Sequence, residues 1–295
     1  MTNPDPFAQP WASREDVRIT GVRAIATAPE GIPLVVVRVD TNVHGLYGLG
    51  CATFTQRWHS VVSFVEDHLA RLVIGRYPGD IEDLIRLTKF SAYWREGPVS
   101  NNALSGLDMA LWDIAGKRAG VPVHELLGGK LRAAADTYLH AGGATIEETI
   151  DQAAELQERG WRHVRLQVSQ HGSGTYGSPR IPGDYTDSPY PAGWSVLEYL
   201  RTTPELFERA REALGDEIEL LHDVHSRLTP KQAVMLARRL EPYRLFFLED
   251  ILAPELWDQL PEVRAASPVP IAVGELATSM TDAVRLVRDR SVDLL

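Results

Sequence analysis

The sequence has very little cysteine, because Cys51 is the only one in 295 residues. A single thiol excludes an internal disulfide and any metal site built from several thiolates. This usage is typical of a reducing compartment, and we expect a cytoplasmic location. Long apolar runs are missing too: none approaches the roughly 20 residues that a membrane span needs, and the first residues lack the basic and apolar regions of a signal peptide.

The sequence also lacks an excess of positive charge. It has 30 Lys and Arg against 40 Asp and Glu, a formal net charge of −10. Proteins that bind nucleic acids or anionic membranes gain most of their affinity by neutralising phosphate, so we expect neither as a partner. What is present is a globular composition, 44% hydrophobic and 24% charged, which excludes disorder for most of the chain. The length allows about two domains.

The first part of the chain changes from a strand pattern to a helix pattern. Residues 17–48 are rich in β-branched residues and predict a small antiparallel sheet with a turn at residues 42–45. From Trp58 to about Gly120 the apolar residues recur every three or four positions, as in a helix. We therefore expect an α+β domain over residues 1–132.

The second part, residues 133–295, alternates short apolar runs with amphipathic helices. Such βα units predict parallel strands, and about 32 residues per unit is the pace of a (β/α) barrel. The sequence stops on the sixth run, so we expect either a fragment of a longer protein or a barrel whose open edge is covered otherwise. The six runs are DTYLHAG, HVRLQV, IELLHDV, LFFLED, IAVGE and VDLL.

One irregular stretch, residues 169–194, is rich in Gly, Pro, Ser and Tyr. Long loops of this kind in compact domains are usually functional or disordered. Because it follows a strand, it belongs to the barrel face where active sites form. We expect it to fold over the barrel mouth or to pack at a subunit contact, and we expect a homo-oligomer.

Three of the apolar runs are followed by a carboxylate. Asp223, Glu249 and Glu275 lie 26 residues apart, and the ends of neighbouring parallel strands lie side by side at a spacing of about 4.8 Å. Carboxylates this close repel one another, so a proton or a cation must compensate them. An all-oxygen site favours Mg²⁺, Mn²⁺ or Ca²⁺. The alternative is three acids that face solvent or cap the following helices.

Three basic residues are candidates for the same mouth. His225 lies two residues after Asp223, so strand periodicity predicts that both point to one side, and an imidazole there can hold or deliver a proton near neutral pH. His140 and Arg165 lie on the first two runs of the barrel. The alternative for these residues is structural, as a satisfied core histidine, loop packing or an ion pair.

The run at residues 101–130, NNALSGLDMALWDIAGKRAGVPVHELLGGK, together with the three acids resembles the mandelate racemase and muconate lactonizing enzyme branch of the enolase superfamily. HDVHSRLTP, LEPYRLFFLED and PIAVGE resemble its D-mannonate dehydratase subgroup, which includes a starvation-sensing protein. The resemblance implies an α+β capping domain on a (β/α)7β-type barrel, here truncated at the sixth strand. It also implies Mg²⁺ bound by Asp223, Glu249 and Glu275, and dehydration of D-mannonate, D-gluconate or a similar sugar acid to a 2-keto-3-deoxy acid.

The resemblance further implies roles for single residues. Arg165 and Tyr176 match the pair that removes the proton next to the carboxylate. His225 matches the acid that helps the 3-hydroxyl leave, and His140 matches a substrate-contacting histidine. Thr55 stands where the family has a substrate-binding asparagine.

Two other functions stay open at this point. A racemase or epimerase would use the same proton removal and a different second step. A catalytically silent member would act as a regulatory or structural protein. The presence of Thr55 in place of the family's asparagine favours this function. The metal triad with His225, Arg165 and Tyr176 favours chemistry, and fold alone does not choose among these functions.

Overall fold

The computed structural model describes residues 17–168 and 195–295. The chain divides between Ala133 and Ala134 into two units, which are described separately below. Within the described residues, no helix is both long and apolar enough to cross a membrane. The predicted loop at residues 169–194, with its expected place over the barrel mouth, lies outside the described residues.

The first unit pairs a three-stranded antiparallel sheet with helices, which confirms the strands predicted over residues 17–48. The strands occur in the order β1-β2-β3, and short 3-10 turns lie at Pro29–Gly31 and Thr55–Arg57. The strands are β1 (Ile19–Thr27), β2 (Leu34–Thr41) and β3 (Tyr47–Cys51). The helices are α1 (Trp58–Ser63), continued by a π-helical turn (Phe64–Leu69) into α2 (Ala70–Val73), then α3 (Ile81–Lys89), α4 (Pro98–Ala119) and α5 (Val123–Leu126).

Helix α4 supplies the helical face of this unit's core. Leu107, Leu111 and Ile114 are fully buried on one stripe, as the period of three or four residues predicts. The helix ends where expected, because Gly120 takes the left-handed conformation at φ +70°, which glycine adopts without a steric penalty.

Glycines let α4 lie directly on β3. A Cβ added at Gly48 would lie 1.9 Å from the carbonyl oxygen of Ala110, and a backbone atom cannot move aside as a side chain can. We expect Gly48→Ala to lower the free energy of unfolding by about 3 kcal/mol through overpacking, measured by urea denaturation. Gly21→Ala is the matched control in the same sheet, since its Cβ would meet only Asp40 Oδ2 at 4.0 Å. Equal stability of the two variants would contradict this packing.

The second unit is built from βα units, and five of the predicted runs form one sheet in the order β4-β5-β6-β7-β8, all parallel. This confirms the predicted parallel pairing. The strands are β4 (Leu139–Gly143), β5 (His163–Val168), β6 (Glu219–Asp223), β7 (Phe247–Glu249) and β8 (Ile271–Ala272). The helices are α6 (Ile146–Glu158), α7 (Val196–Leu214), α8 (Pro230–Leu240), α9 (Leu260–Ala266) and α10 (Met280–Arg288), with 3-10 turns at Glu241–Tyr243 and Pro254–Gln259.

The helices of this unit begin at residues that the sequence marks as caps. The hydroxyls of Thr145, Ser195 and Ser279 each accept a hydrogen bond from a backbone N–H in the first turn of α6, α7 and α10. Thr229 and Gln232 form a capping box at α8. These contacts satisfy amide groups that a helix start leaves without an intrahelical partner.

The far edge of this sheet is shorter than predicted. The run IAVGE forms only the two-residue strand β8, and the sixth run VDLL contributes only a parallel bridge between Ala272 and Leu294. Among the described residues, β8 therefore has little to pair with on its outer side. The five strands form a row of parallel strands and do not close a barrel.

Candidate functional site

The register of the parallel sheet brings two of the predicted acids together. Asp223 and Glu249 are the last residues of β6 and β7 and lie directly opposite each other. The side chain of Asp223 is only 1% exposed, and that of Glu249 is 16% exposed. Two carboxylates in so little water need a nearby positive charge.

Glu275 is not a strand-end residue, contrary to the sequence expectation. Strand β8 ends at Ala272, the register partner of Glu249, and Glu275 lies exposed in the turn three residues later. It is still close enough for its charge to raise the pKa of Glu249. The edge position of β8 explains the difference, because one neighbouring strand and a single bridge hold it in place.

Arg165 supplies the positive charge beside the two buried acids. It is the third residue of β5, and its Nη1 donates a 2.6 Å hydrogen bond to Asp223 Oδ2 and lies 3.9 Å from Glu249 Oε2. The guanidinium is itself only 9% exposed. The structural alternative foreseen for Arg165, an ion pair, is therefore present, and it is made with two of the predicted metal ligands.

His140 lies opposite Arg165 in the register of β4 and β5. Arg165 Nη2 and His140 Nδ1 are 3.1 Å apart. Because a guanidinium nitrogen only donates, Nδ1 accepts, and a neutral His140 carries its proton on Nε2. His140 is the second residue of β4 and is exposed.

His225 reaches Asp223 through a turn rather than through strand periodicity. Strand β6 stops at Asp223, and His225 and Ser226 both take positive φ values, 52° and 58°, a conformation that costs non-glycine residues energy. The turn is held because the His225 backbone N–H donates to Asp223 Oδ1 at 2.8 Å. It places His225 Nε2 at 3.0 Å from Asp223 Oδ2. The predicted proximity is thus confirmed, and the predicted reason for it was wrong.

Gln167 orients the histidine from the neighbouring strand. Its amide Nε2 lies 2.9 Å from His225 Nδ1, so that nitrogen accepts and the proton of a neutral His225 is on Nε2, facing Asp223. Gln167 is not among the site residues predicted from the sequence. The signal was available, because Gln167 lies two residues after Arg165 on β5 and must share its face.

Tyr138 is a second contact that the sequence analysis missed. Its hydroxyl donates a 2.7 Å hydrogen bond to Glu249 Oε2. The residue immediately precedes β4, and no spacing in the sequence predicts its contact with Glu249.

A buried pair lies on the other face of the sheet. His222 Nδ1 donates to the carbonyl oxygen of Leu166 at 2.9 Å, and its Nε2 accepts from the Tyr199 hydroxyl at 2.7 Å. Burial lowers the pKa of His222 to about 4. The neutral His222 therefore links β6 to β5 through its hydrogen bond to Leu166, at the position next to Asp223.

The acids at the site have opposite electrostatic tendencies. Burial opposes ionisation of Asp223, but its hydrogen bonds from His225 and the charge of Arg165 hold its pKa below the usual value. Burial and the nearby carboxylates raise the pKa of Glu249, against the hydrogen bond from Tyr138. Burial and the charge of Asp223 together raise the pKa of Asp250 to about 8. The site thus carries more acidic groups than the guanidinium group of Arg165 alone can neutralise.

The donor set of this site suits a hard divalent cation. Carboxylate oxygens of Asp223 and Glu249 both lie within 4 Å of one positive charge, the guanidinium group of Arg165. Mg²⁺, Mn²⁺ and Ca²⁺ take such oxygen donors. As the side chains stand in residues 17–168 and 195–295, no three His, Cys, Asp or Glu side chains are grouped closely enough to hold an ion.

The structure does not test two of the predicted site residues. Tyr176 lies outside the described residues. Thr55 belongs to the first unit, where it begins a 3-10 turn ahead of α1 and is half-buried. The predicted roles of both remain predictions.

Two family models match the chain. The mandelate racemase and muconate lactonizing enzyme N-terminal domain matches residues 14–128, and the enolase C-terminal domain-like family matches residues 148–295. The second match covers the sheet that carries Asp223 and Glu249.

Curated relatives carry a dehydratase name. A D-galactonate dehydratase family member from Catenulispora acidiphila is 67% identical over 97% of this chain, and one from a Streptomyces species is 48% identical over 98%. The chain spans about two thirds of the length of these relatives, 67% and 66%. A solved structure from Pantoea ananatis, described as an enolase with bound D-gluconate and Mg, is 44% identical and has a TM-score of 0.83, with 94% of this chain and 70% of that chain covered.

Proposed function

The chain belongs to the D-galactonate dehydratase family of the enolase superfamily, and from this premise we propose that it is a Mg²⁺-dependent sugar-acid dehydratase of the D-mannonate or D-gluconate type. The observation that carries the proposal is the arrangement at Asp223. Its two oxygens contact Arg165 and His225, and it lies in register with Glu249. Asp223 thus contacts both Arg165, the proposed partner of the catalytic base, and His225, the proposed catalytic acid.

Asp223, Glu249 and Glu275 are the proposed Mg²⁺ ligands, the last from an exposed turn. A bound Mg²⁺ would supply positive charge for the substrate carboxylate and for the negative charge that develops when carbon 2 loses its proton. The Pantoea ananatis structure, solved with Mg and D-gluconate, supports this choice of cofactor and of ligand class.

The protein side chains divide the proton transfers. Tyr176, assisted by the positive charge of Arg165, removes the proton from carbon 2. His225 gives a proton to the hydroxyl on carbon 3, and its held orientation between Gln167 and Asp223 supports this role. We also propose that the exposed His140 contacts the sugar-acid hydroxyls and that Thr55, the counterpart of the family's asparagine, binds the substrate.

The proposed reaction balances without an oxidant. The C2–H bond breaks first, and its electron pair is delocalised into the adjacent carboxylate group. That pair then forms the C2–C3 double bond as the C3–O bond breaks, and the hydroxyl leaves as water with the proton from His225. The resulting enol takes up a proton at carbon 3, loses the proton of its 2-hydroxyl and becomes the 2-keto-3-deoxy acid.

A screen of sugar acids tests the proposed function. The purified protein, as encoded by its natural reading frame, is incubated with Mg²⁺ and D-mannonate, D-gluconate, D-galactonate and their epimers. We expect keto-acid formation from at least one of them and none in EDTA. Epimer formation without a keto acid would favour a racemase or epimerase, and no reaction with any of them would favour a silent member.

Solvent exchange separates the two proton-transfer roles. In D₂O, Tyr176→Phe is expected to abolish exchange of the carbon-2 proton, because it removes the base, and Mg²⁺ affinity should be unchanged. His225→Asn should slow water loss more than exchange, because proton removal precedes the step that needs the acid. Proton NMR of the recovered substrate measures exchange, and a keto-acid assay measures water loss.

The reverse pattern would contradict these roles. If His225→Asn abolished exchange and Tyr176→Phe left it intact, His225 would be the base. Tyr199→Phe is the control for the loss of a tyrosine hydroxyl, since the Tyr199 hydroxyl contacts the buried His222 on the other face of the sheet.

A further inference from the structure

The hydroxyl of Tyr138 is hydrogen-bonded to one acid of the site, Glu249. The residue immediately precedes β4, at the edge of the sheet away from β7, yet its hydroxyl lies 2.7 Å from Glu249 Oε2. The sequence distance between the two residues is 111 positions. Such a contact depends on the fold of the whole sheet, and it meets Glu249 at a single oxygen.

The ring of Tyr138 is held in place by its neighbours. It stacks on His140 with ring centroids 5.6 Å apart and meets Phe247 edge-on at 6.2 Å. A ring fixed on two sides delivers its hydroxyl to one position at little cost in side-chain entropy.

The same Glu249 oxygen has a competing partner. Arg165 Nη1 lies 3.9 Å from Oε2, beyond hydrogen-bond distance, while Tyr138 makes the short contact. Without the hydroxyl, we expect Glu249 to rotate toward Arg165, whose Nη1 is already 3.9 Å from Oε2. That rotation would pair Glu249 with a guanidinium group that Asp223 already engages.

We propose that Tyr138 is a positioning residue that fixes Glu249 for Mg²⁺. The hydroxyl engages Oε2, keeps Glu249 from closing on Arg165 and leaves Oε1 as the oxygen offered to the ion. Outer partners of this kind orient metal ligands and set their affinity. The inference rests on the proposed function, because it assumes that Glu249 is a Mg²⁺ ligand.

Tyr138→Phe tests the inference, because it removes the hydroxyl and keeps the ring that packs on His140 and Phe247. We expect the Mg²⁺ dissociation constant, measured by isothermal titration calorimetry, to rise by about tenfold or more. Tyr243→Phe is the matched control in the same unit, since Tyr243 lies in the turn that leads into β7 from its opposite end. It is expected to leave the dissociation constant unchanged.

Urea unfolding in EDTA distinguishes a positioning role of the Tyr138 hydroxyl from a purely structural role. A hydroxyl with only a structural role would lower stability and leave the Mg²⁺ affinity of the folded protein unchanged. That result, or Mg²⁺ binding that is unchanged or tighter in Tyr138→Phe, would overturn the inference while the proposed function stood. Absence of Mg²⁺ binding by the parent protein would instead overturn the proposed metal site, and the inference with it.

Discussion

The triple variant Asp223→Asn, Glu249→Gln, Glu275→Gln is expected to bind no Mg²⁺ in a calorimetric titration and to form no detectable keto acid. The amides keep the size of the side chains but remove the negative charge that a hard cation requires. Loss of a single group that stabilises developing charge costs on the order of 10²- to 10³-fold in rate, and here the whole binding set is lost.

A charge-matched triple variant controls for the loss of three negative charges. Glu158→Gln, Glu205→Gln, Glu212→Gln changes three exposed acids on helices α6 and α7 of the same unit. It should bind Mg²⁺ and react as the parent protein does. Unchanged Mg²⁺ affinity in the first triple variant would show that the ion binds elsewhere.

Arg165→Met is expected to lower the free energy of unfolding in EDTA by about 3 to 5 kcal/mol, the usual cost of removing one partner of a buried ion pair. Asp223 and Glu249 would then lie side by side with their closest positive charge gone. Mg²⁺ should restore part of this loss, so the rise in melting temperature on adding Mg²⁺ should be larger in the variant than in the parent.

Arg165→Lys is the control for charge. A lysine keeps the positive charge but not the planar fork that reaches Asp223 and His140 together, so it should retain more stability than methionine does. If methionine cost no stability in EDTA, or if Mg²⁺ stabilised the variant less than the parent, the buried pair would not be what compensates these acids.

The sheet and its acids could be predicted from spacing alone. Runs of apolar residues alternating with amphipathic helices imply parallel strands, and a carboxylate at the end of β6 and of β7 must then lie in register. Asp223 and Glu249 do so. The same reasoning failed for Glu275, because the pairing that determines where β8 ends depends on contacts with distant residues such as Leu294, which a local pattern does not contain.

The orientation of His225 could not be predicted from strand periodicity. Two successive residues with positive φ turn the backbone after Asp223, and no glycine or asparagine marks that turn in the sequence. It is held by tertiary hydrogen bonds, including one from the Ser226 N–H to the carbonyl oxygen of Asp250. The backbone therefore departs from its local conformational preference at His225, the residue proposed to donate a proton.

Partners of the predicted residues were predictable in part. Gln167 follows from its two-residue spacing to Arg165, since side chains alternate along a strand. The bond from Tyr138 to Glu249 does not follow from any spacing, because its partners are 111 residues apart. Sequence thus indicated which residues carry charge at the site, and the fold determined how they are paired.

The central claim is that the acids at the ends of β6 and β7, with Glu275, hold a divalent ion for sugar-acid chemistry. The most direct test is a crystal of the protein grown with Mn²⁺ and D-gluconate, measured near the manganese absorption edge. We predict one anomalous peak with Asp223 and Glu249 oxygens at about 2 Å and the D-gluconate carboxylate beside it. A peak away from these acids, or no peak while Arg165 still bonds Asp223, would contradict the account.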